Sequence, residues 1–153
     1  MKPGRIRPLV LGVLLHEQRI LVTEYEDHVK GERFYRPPGG GIRFGERSED
    51  ALRREIQEEL GSPISNVHYL GAIENIFSYN GQPGHEIVLL YQADLDDPAL
   101  YQTDVLQAAE GDKPLKMLWK PLADFVTGRA HLYPSGLLEL LKNTYLRYPE
   151  NQT

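Results

Sequence analysis

The sequence predicts a mixed α/β fold, organised as one domain over residues 1–153, and three observations carry that prediction. Short apolar stretches of strand character recur along most of the 153-residue chain. One stretch near the middle, Ser48–Leu60, has a helical period with a start and a stop signal. Strands in series with two helical segments, and no repeat, low-complexity tract or linker between them, fit one mixed domain. The length is enough to bury a core without covalent staples.

Two apolar runs, Ile6–Leu15 and Arg19–Tyr25, flank His16-Glu17-Gln18 and read as a hairpin. Glu26–Arg33 is polar and reads as a loop. Phe34-Tyr35-Arg36 is a short strand, stopped by Pro37-Pro38 and Gly39-Gly40-Gly41. Ser48 is the expected N-cap of the helix, with Glu49 and Asp50 in its first turn where the dipole favours anions. Gly61 and Pro63 end it. Val67–Ser78 and His85–Leu95 read as strands joined by a turn over Tyr79–Gly84. Asp96–Lys113 reads as a long polar loop with some helical character, Leu115–Trp119 as a strand and Pro121–Phe125 as a helical turn. Ser135 is placed to cap a final helix in which Leu137, Leu138, Leu141 and Tyr145 keep the helical period.

Composition removes several functions. Without cysteine there are no disulfides and no thiolate metal sites, which suits a reducing cytosol and gives a cytoplasmic expectation. A net charge of −5 disfavours a large nucleic-acid footprint, yet leaves room for a small phosphorylated substrate if bound cations reverse the local sign. Lys2, Arg5 and Arg7 before Leu9–Leu15 imitate a secretory signal, but no small-residue cleavage site follows and a first strand is the expectation. No apolar run approaches the ~20 residues of a membrane span.

The chemistry lies in the helix. Glu55, Glu58 and Glu59 share one face beside the Leu52, Ile56 and Leu60 stripe. Carboxylates three and four residues apart repel by roughly 0.2–0.5 kcal/mol per pair, and the negative end of the helix dipole adds to the cost. A divalent cation turns that repulsion into affinity, and Mg²⁺ joins one or two carboxylates to substrate phosphates. A merely charged surface helix is the competing reading.

The surrounding run GGIRFGERSEDALRREIQEELGS decides between them. It resembles the Nudix box, G-x5-E-x7-R-E-U-x-E-E-x-G-U with U a bulky aliphatic. Gly40, Glu46, Arg54, Glu55, Ile56, Glu58, Glu59 and Gly61 fall in register, and only Ser62 departs, where Ile64 is the expected substitute for packing. Pro38-Gly39-Gly40 supplies the usual lead-in, and Trp119-Lys120-Pro121-Leu122 looks like the late strand and short helix of the family. The resemblance implies the Nudix α/β/α sandwich with a mixed β-sheet. It also implies hydrolysis of a diphosphate linkage in a nucleoside diphosphate bound to another moiety, with Mg²⁺ or Mn²⁺ as cofactor. The partner expected is a small nucleotide, with a homodimer as the family's frequent state.

Carried over by position, the resemblance implies Glu58 and Glu59 as metal ligands and Glu55 as ligand or general base. It adds the Gly40 carbonyl as a further ligand. Arg54 is expected to orient the glutamates, with Glu46 as its partner, and Gly39 to meet a backbone requirement. Glu110 and Glu86 are the alternative bases. Arg36, Tyr79 and His85 are candidate substrate contacts. Tyr79 falls seventeen residues past Ser62, as does a tyrosine associated with dinucleoside-polyphosphate hydrolases. A catalytically silent nucleotide-binding module is the alternative reading of the whole.

Overall fold

The computed structural model describes residues 4–146, and Lys2 lies outside the described residues. Eight strands form a mixed sheet: β1 Ile6–His16, β2 Arg19–Asp27, β3 Glu32–Arg36, β4 Gly39–Gly41, β5 Ile64–Tyr79, β6 Gln82–Leu95, β7 Val105–Glu110 and β8 Lys113–Pro121. Helix α1 covers Ser48–Leu60, α2 Leu122–Val126 and α3 Leu137–Leu141. The main path runs β5-β6-β1-β2-β8-β7, with the β1–β6 pair parallel and the others antiparallel. The N-terminal apolar run is thus a central strand. Among the described residues no helix is long and apolar enough to cross a membrane.

Strand alternation feeds two cores. Leu9, Leu11 and Val13 of β1 pack with Ile20, Val22, Val88 and Leu90 beneath α2 and α3. Val10 and Leu14 face the opposite way, with Leu21, Trp119 and the Leu52 and Ile56 stripe of α1. Helices on both faces of one sheet make an α/β/α sandwich. Gly12 matters for the seat of α1, because a Cβ there would come within 3.0 Å of Leu52 Cδ1.

The structure corrects the sequence reading in several places. The segment Asp96–Lys113 is no loop. Asp97 caps a 3₁₀ turn at Pro98–Tyr101 through its side chain, and β7 then pairs with β8 along its whole length. The strand was hidden because only Leu106 and Ala108 of it are buried, and alanine carries little strand signal. Two earlier loops shorten as well. β2 runs to Asp27 and β3 starts at Glu32, while the β5–β6 turn contracts to Asn80-Gly81, which leaves Tyr79 inside β5.

Neither predicted serine cap forms. Arg47 is the N-cap residue of α1 and makes no side-chain cap bond; Ser48 is already helical and its hydroxyl meets Tyr91 Oη at 2.6 Å. Gly136, in the left-handed region, precedes α3 in place of Ser135, and a π-type turn over Lys142–Leu146 continues that helix. At the other end of α1, Gly61 (φ 68°) closes the helix with its N–H on Gln57 O at 2.9 Å. The departure at Ser62 is compensated. Its hydroxyl donates to Pro63 O (2.8 Å) and accepts from Asp97 N (3.1 Å), while Ile64 is buried in the core under α1.

Candidate active site

A fork in the sheet creates the site. β1 and β2 pair only at Leu15–Ile20 and His16–Arg19, next to their connecting turn. Beyond that point β4 takes the edge of β1 and β3 the edge of β2. Thr23 pairs with both Met117 and Arg36, which puts β3 on the β1 side of β2, inside the fork. The segment from Glu32 to Gly41 therefore crosses the mouth of the fork and carries Gly39 and Gly40 to the face of α1.

Both glycines answer to contacts. Gly39 has φ 148°, and a Cβ there would fall 2.0 Å from Val10 O and 2.8 Å from Leu11 Cα. The bonds Gly12 N–H to Pro38 O and Ile42 N–H to Pro8 O bracket the β1–β4 ladder. By ladder alternation the Gly39 N–H points away from β1, toward the Glu59 carboxylate on α1. Gly40 faces Glu55 so closely that a Cβ would lie 2.5–2.7 Å from the carboxylate atoms.

On α1, Glu55 and Glu59 stand one turn apart with their carboxylates close enough to repel. Glu59 is 7% exposed, and its Oε2 is buried with no hydrogen-bond partner among the described residues. Burial first, then the charges of Glu55 and Glu110, push its carboxyl up to about 8. Arg54 holds the rest of the cluster. Its Nε and Nη2 grip both oxygens of Glu46 at 2.8 and 2.9 Å, Nη1 reaches Glu55 at 2.8 Å, and Nη2 also donates to Gly41 O at 3.0 Å. This two-pronged bond holds the Glu46 carboxyl down to about 2 and raises the proton affinity of Arg54. Glu58 is turned outward, half exposed, toward Arg54 (3.5 Å) and Arg43 (3.9 Å).

Among the described residues no three acidic, histidine or cysteine side chains converge as they stand to hold a metal. A pair does. The unpartnered Glu59 oxygen, its neighbour Glu55 and the space a Gly40 side chain would fill make an oxygen-lined cradle. Mg²⁺ usually keeps several waters and takes one or two carboxylates, so these residues fit a hard dication. Lacking a partner, the Glu59 oxygen carries a desolvation penalty that a bound cation would relieve.

The remaining candidates separate. Glu110, the last residue of β7, lines the same cleft as Glu59, Gly39, Gly40 and Arg36. Glu86 is 2% exposed and paired with Arg36 at 3.1 Å. It faces an adjoining cleft, as does Tyr79. His85 points to the opposite face of β6 from Glu86 and lines neither cleft. Three residues the motif gave no reason to choose also face these clefts: Arg7, Tyr25 and Asn75. In the sequence Arg7 is one of several N-terminal cations, and the other two are ordinary strand positions. Only the strand register puts them here.

A family model described as the NUDIX domain matches residues 5–136. The NAD-capped RNA hydrolase NudC of Vibrio atlanticus is 31% identical over 68 residues, which cover 44% of this chain and 24% of that protein. The match thus spans about a quarter of that relative's length. An RNA pyrophosphohydrolase of Thioalkalivibrio sulfidiphilus is 29% identical over 134 residues, covering 78% of this chain and 75% of the relative. The crystal structure of a MutT NUDIX hydrolase from Burkholderia pseudomallei aligns with a TM-score of 0.58 at 23% identity, over 78% of this chain and 86% of that one. That likeness bears on the fold alone.

Proposed function

This chain belongs to the NUDIX domain family, and we propose that it hydrolyses a diphosphate linkage in a nucleoside diphosphate joined to another moiety, using Mg²⁺ or Mn²⁺. The observation that carries the reading is the buried, unpartnered Glu59 oxygen beside Glu55 and Gly40. A chain that only folded would gain by replacing that carboxylate.

In this reading Glu55 and Glu59 hold the ion, and Glu58 joins them by rotating away from Arg43 and Arg54. The Gly40 carbonyl, in a hydrogen-bonded ladder pair with Val10, points at β1 and is not a ligand. When bound, such an ion supplies Lewis acidity to the phosphoryl oxygens. Arg54 acts as a positioning residue, because its bonds to Glu46, Gly41 and Glu55 fix the loop, the glycine segment and the helix together. Arg36 and Arg7 line the cleft as the cations that meet phosphate oxygens. Glu110 lines the cleft with Glu59 and has no side-chain partner among the described residues, so it is the group placed to take the proton of an attacking water. Glu86 is committed to Arg36, and Glu55 to Arg54.

The test is a substrate panel with Mg²⁺ or Mn²⁺, scored for both phosphate and nucleotide products. It should include nucleoside triphosphates, dinucleoside polyphosphates, ADP-ribose, NADH and 5′-triphosphorylated RNA. NAD-capped RNA belongs in it as well, because one similar protein is named an NAD-capped RNA hydrolase and another an RNA pyrophosphohydrolase. Turnover of at least one compound is expected, and none with either metal would sink the proposal. Product analysis in ¹⁸O-labelled water then identifies the phosphorus attacked. Glu110→Gln is expected to lower kcat on the best substrate by about 10²–10⁴-fold while metal still raises the melting temperature. Unchanged kcat would return the base to Glu55.

A further inference from the structure

Beside the carboxylate cleft lies a second one of about 600 Å³, counting the solvent at its mouth, which shares Tyr25 and Arg36 with the first. Its walls are aromatic. Phe34 stacks on Tyr25 (centroids 5.4 Å apart, 16°) and meets Tyr79 and Tyr133 edge-on at 5.6 and 4.8 Å. Phe77 lies across Gly84, where a Cβ would come within 2.3–2.8 Å of the ring; the glycine lets the aromatic face lie flat on β6.

The rim is rigid. Asp27 accepts from the N–H groups of Val29, Lys30 and Asn80, and Lys30 Nζ donates to Ser78 O, which ties the β2–β3 loop to the β5–β6 turn. Of the buried polar side chains lining this cleft, Asp27 is satisfied by those bonds and Glu86 pairs with Arg36. Asn75 differs. It is 6% exposed, stands opposite Glu86 in the β5–β6 ladder, lines the cleft, and its amide has no side-chain hydrogen bond to any described residue. The site therefore combines aromatic faces with one amide donor and one amide acceptor, side by side and open to the cleft, that no described side chain engages.

We propose that this cleft binds the nucleobase of the substrate, stacked among Phe34, Phe77 and Tyr79, and that Asn75 reads the hydrogen-bonding edge of the base. Stacking is tolerant of base identity, since every base has a π face. An amide held in one orientation is less tolerant. It pairs two-pronged either with adenine and cytosine, which set an amino donor beside a ring-nitrogen acceptor, or with guanine and uracil, which set a carbonyl acceptor beside an imino donor, and not with both classes. Selection among bases falls to Asn75, and the shared Arg36 places the phosphates of the same molecule at the Glu55–Glu59 cleft. The inference rests on the reading of that cleft as the diphosphate site, but binding tests it without turnover.

The experiment titrates the metal-free protein with AMP, GMP, CMP, UMP and ribose 5-phosphate, by calorimetry and by the ¹⁵N–¹H side-chain resonances. The Asn75 pair is identified by its loss in Asn75→Asp. At least one monophosphate is expected to bind about tenfold or more tighter than ribose 5-phosphate and to shift the Asn75 amide pair. Asn75→Ala should bring the affinities of the four monophosphates within about threefold of one another, and Phe34→Leu should weaken all four. Equal affinity for ribose 5-phosphate and every monophosphate overturns the proposal, as does an Asn75 amide unmoved by a bound nucleotide. Should either variant fail to fold, the wild-type titration still decides. Base-dependent binding together with an inert substrate panel would remove the hydrolase reading and leave the base site standing.

Discussion

Glu59→Gln is expected to lower metal-dependent turnover by at least about 10²–10³-fold, the scale seen when one preorganised charge-stabilising group is removed. In the same variant the metal-free protein should become more stable at alkaline pH. The two effects share one cause: Glu59 buries a carboxylate whose Oε2 has no partner, with Glu55 and Glu110 adding repulsion. Its proton affinity is raised on folding, so its stabilising contribution is complete below the ordinary carboxylate pKa and is lost as pH rises through about 8. Metal-free wild type should accordingly melt at lower temperature at pH 9 than at pH 6. Glu59→Gln should flatten that difference by about 1–3 kcal/mol, the cost of an unsatisfied buried group. Added Mg²⁺ competes with the proton, so the melting shift it produces in the wild type should grow with pH and vanish in the variant. A variant with wild-type turnover, or one whose metal-induced shift persists, would end the assignment of Glu59 as a ligand.

Gly40→Ala should abolish turnover nearly as completely while leaving the melting temperature within a few degrees. The new Cβ would overlap the Glu55 carboxylate, which is the far end of a flexible side chain and can move aside. The fold survives that movement, but the cradle does not. Gly39→Ala is the contrast. Its Cβ meets the backbone of Val10 and Leu11, and its φ of 148° is one an alanine adopts only under strain. The β1–β4 pairing should fail, with a loss of about 1–3 kcal/mol or more. Circular dichroism melts, run beside turnover assays, separate the two variants. If Gly40→Ala keeps wild-type turnover, Glu55 is not held against this backbone during the reaction.

Much of the architecture was legible in order along the chain. The bounds of α1 came from its helical period and from Gly61, because a 13-residue helix with a buried stripe is a local pattern that tertiary contacts only reinforce. β7 was missed because its one buried face, Leu106 and Ala108, makes sense only against β8 and α1. The serine caps failed for a related reason. Ser48 found a tertiary partner in Tyr91, and Gly136 reached a left-handed conformation that suits the start of α3.

The sequence alone determined which residue types stand at which spacing: three glutamates on one helical turn, a guanidinium beside them, and a glycine pair eight residues before the helix. That information is local, since helix geometry converts spacing directly into a shared face. Which glutamate is buried and which faces solvent was decided only by the tertiary structure. Glu59 is enclosed beneath Gly39 while Glu58, its neighbour in sequence, is turned toward Arg43. The fork between β1 and β2 likewise brings Arg7, Tyr25, Asn75 and Glu110 around two adjoining clefts from four strands. No spacing along one strand encodes that meeting, because it depends on register between strands distant in the chain.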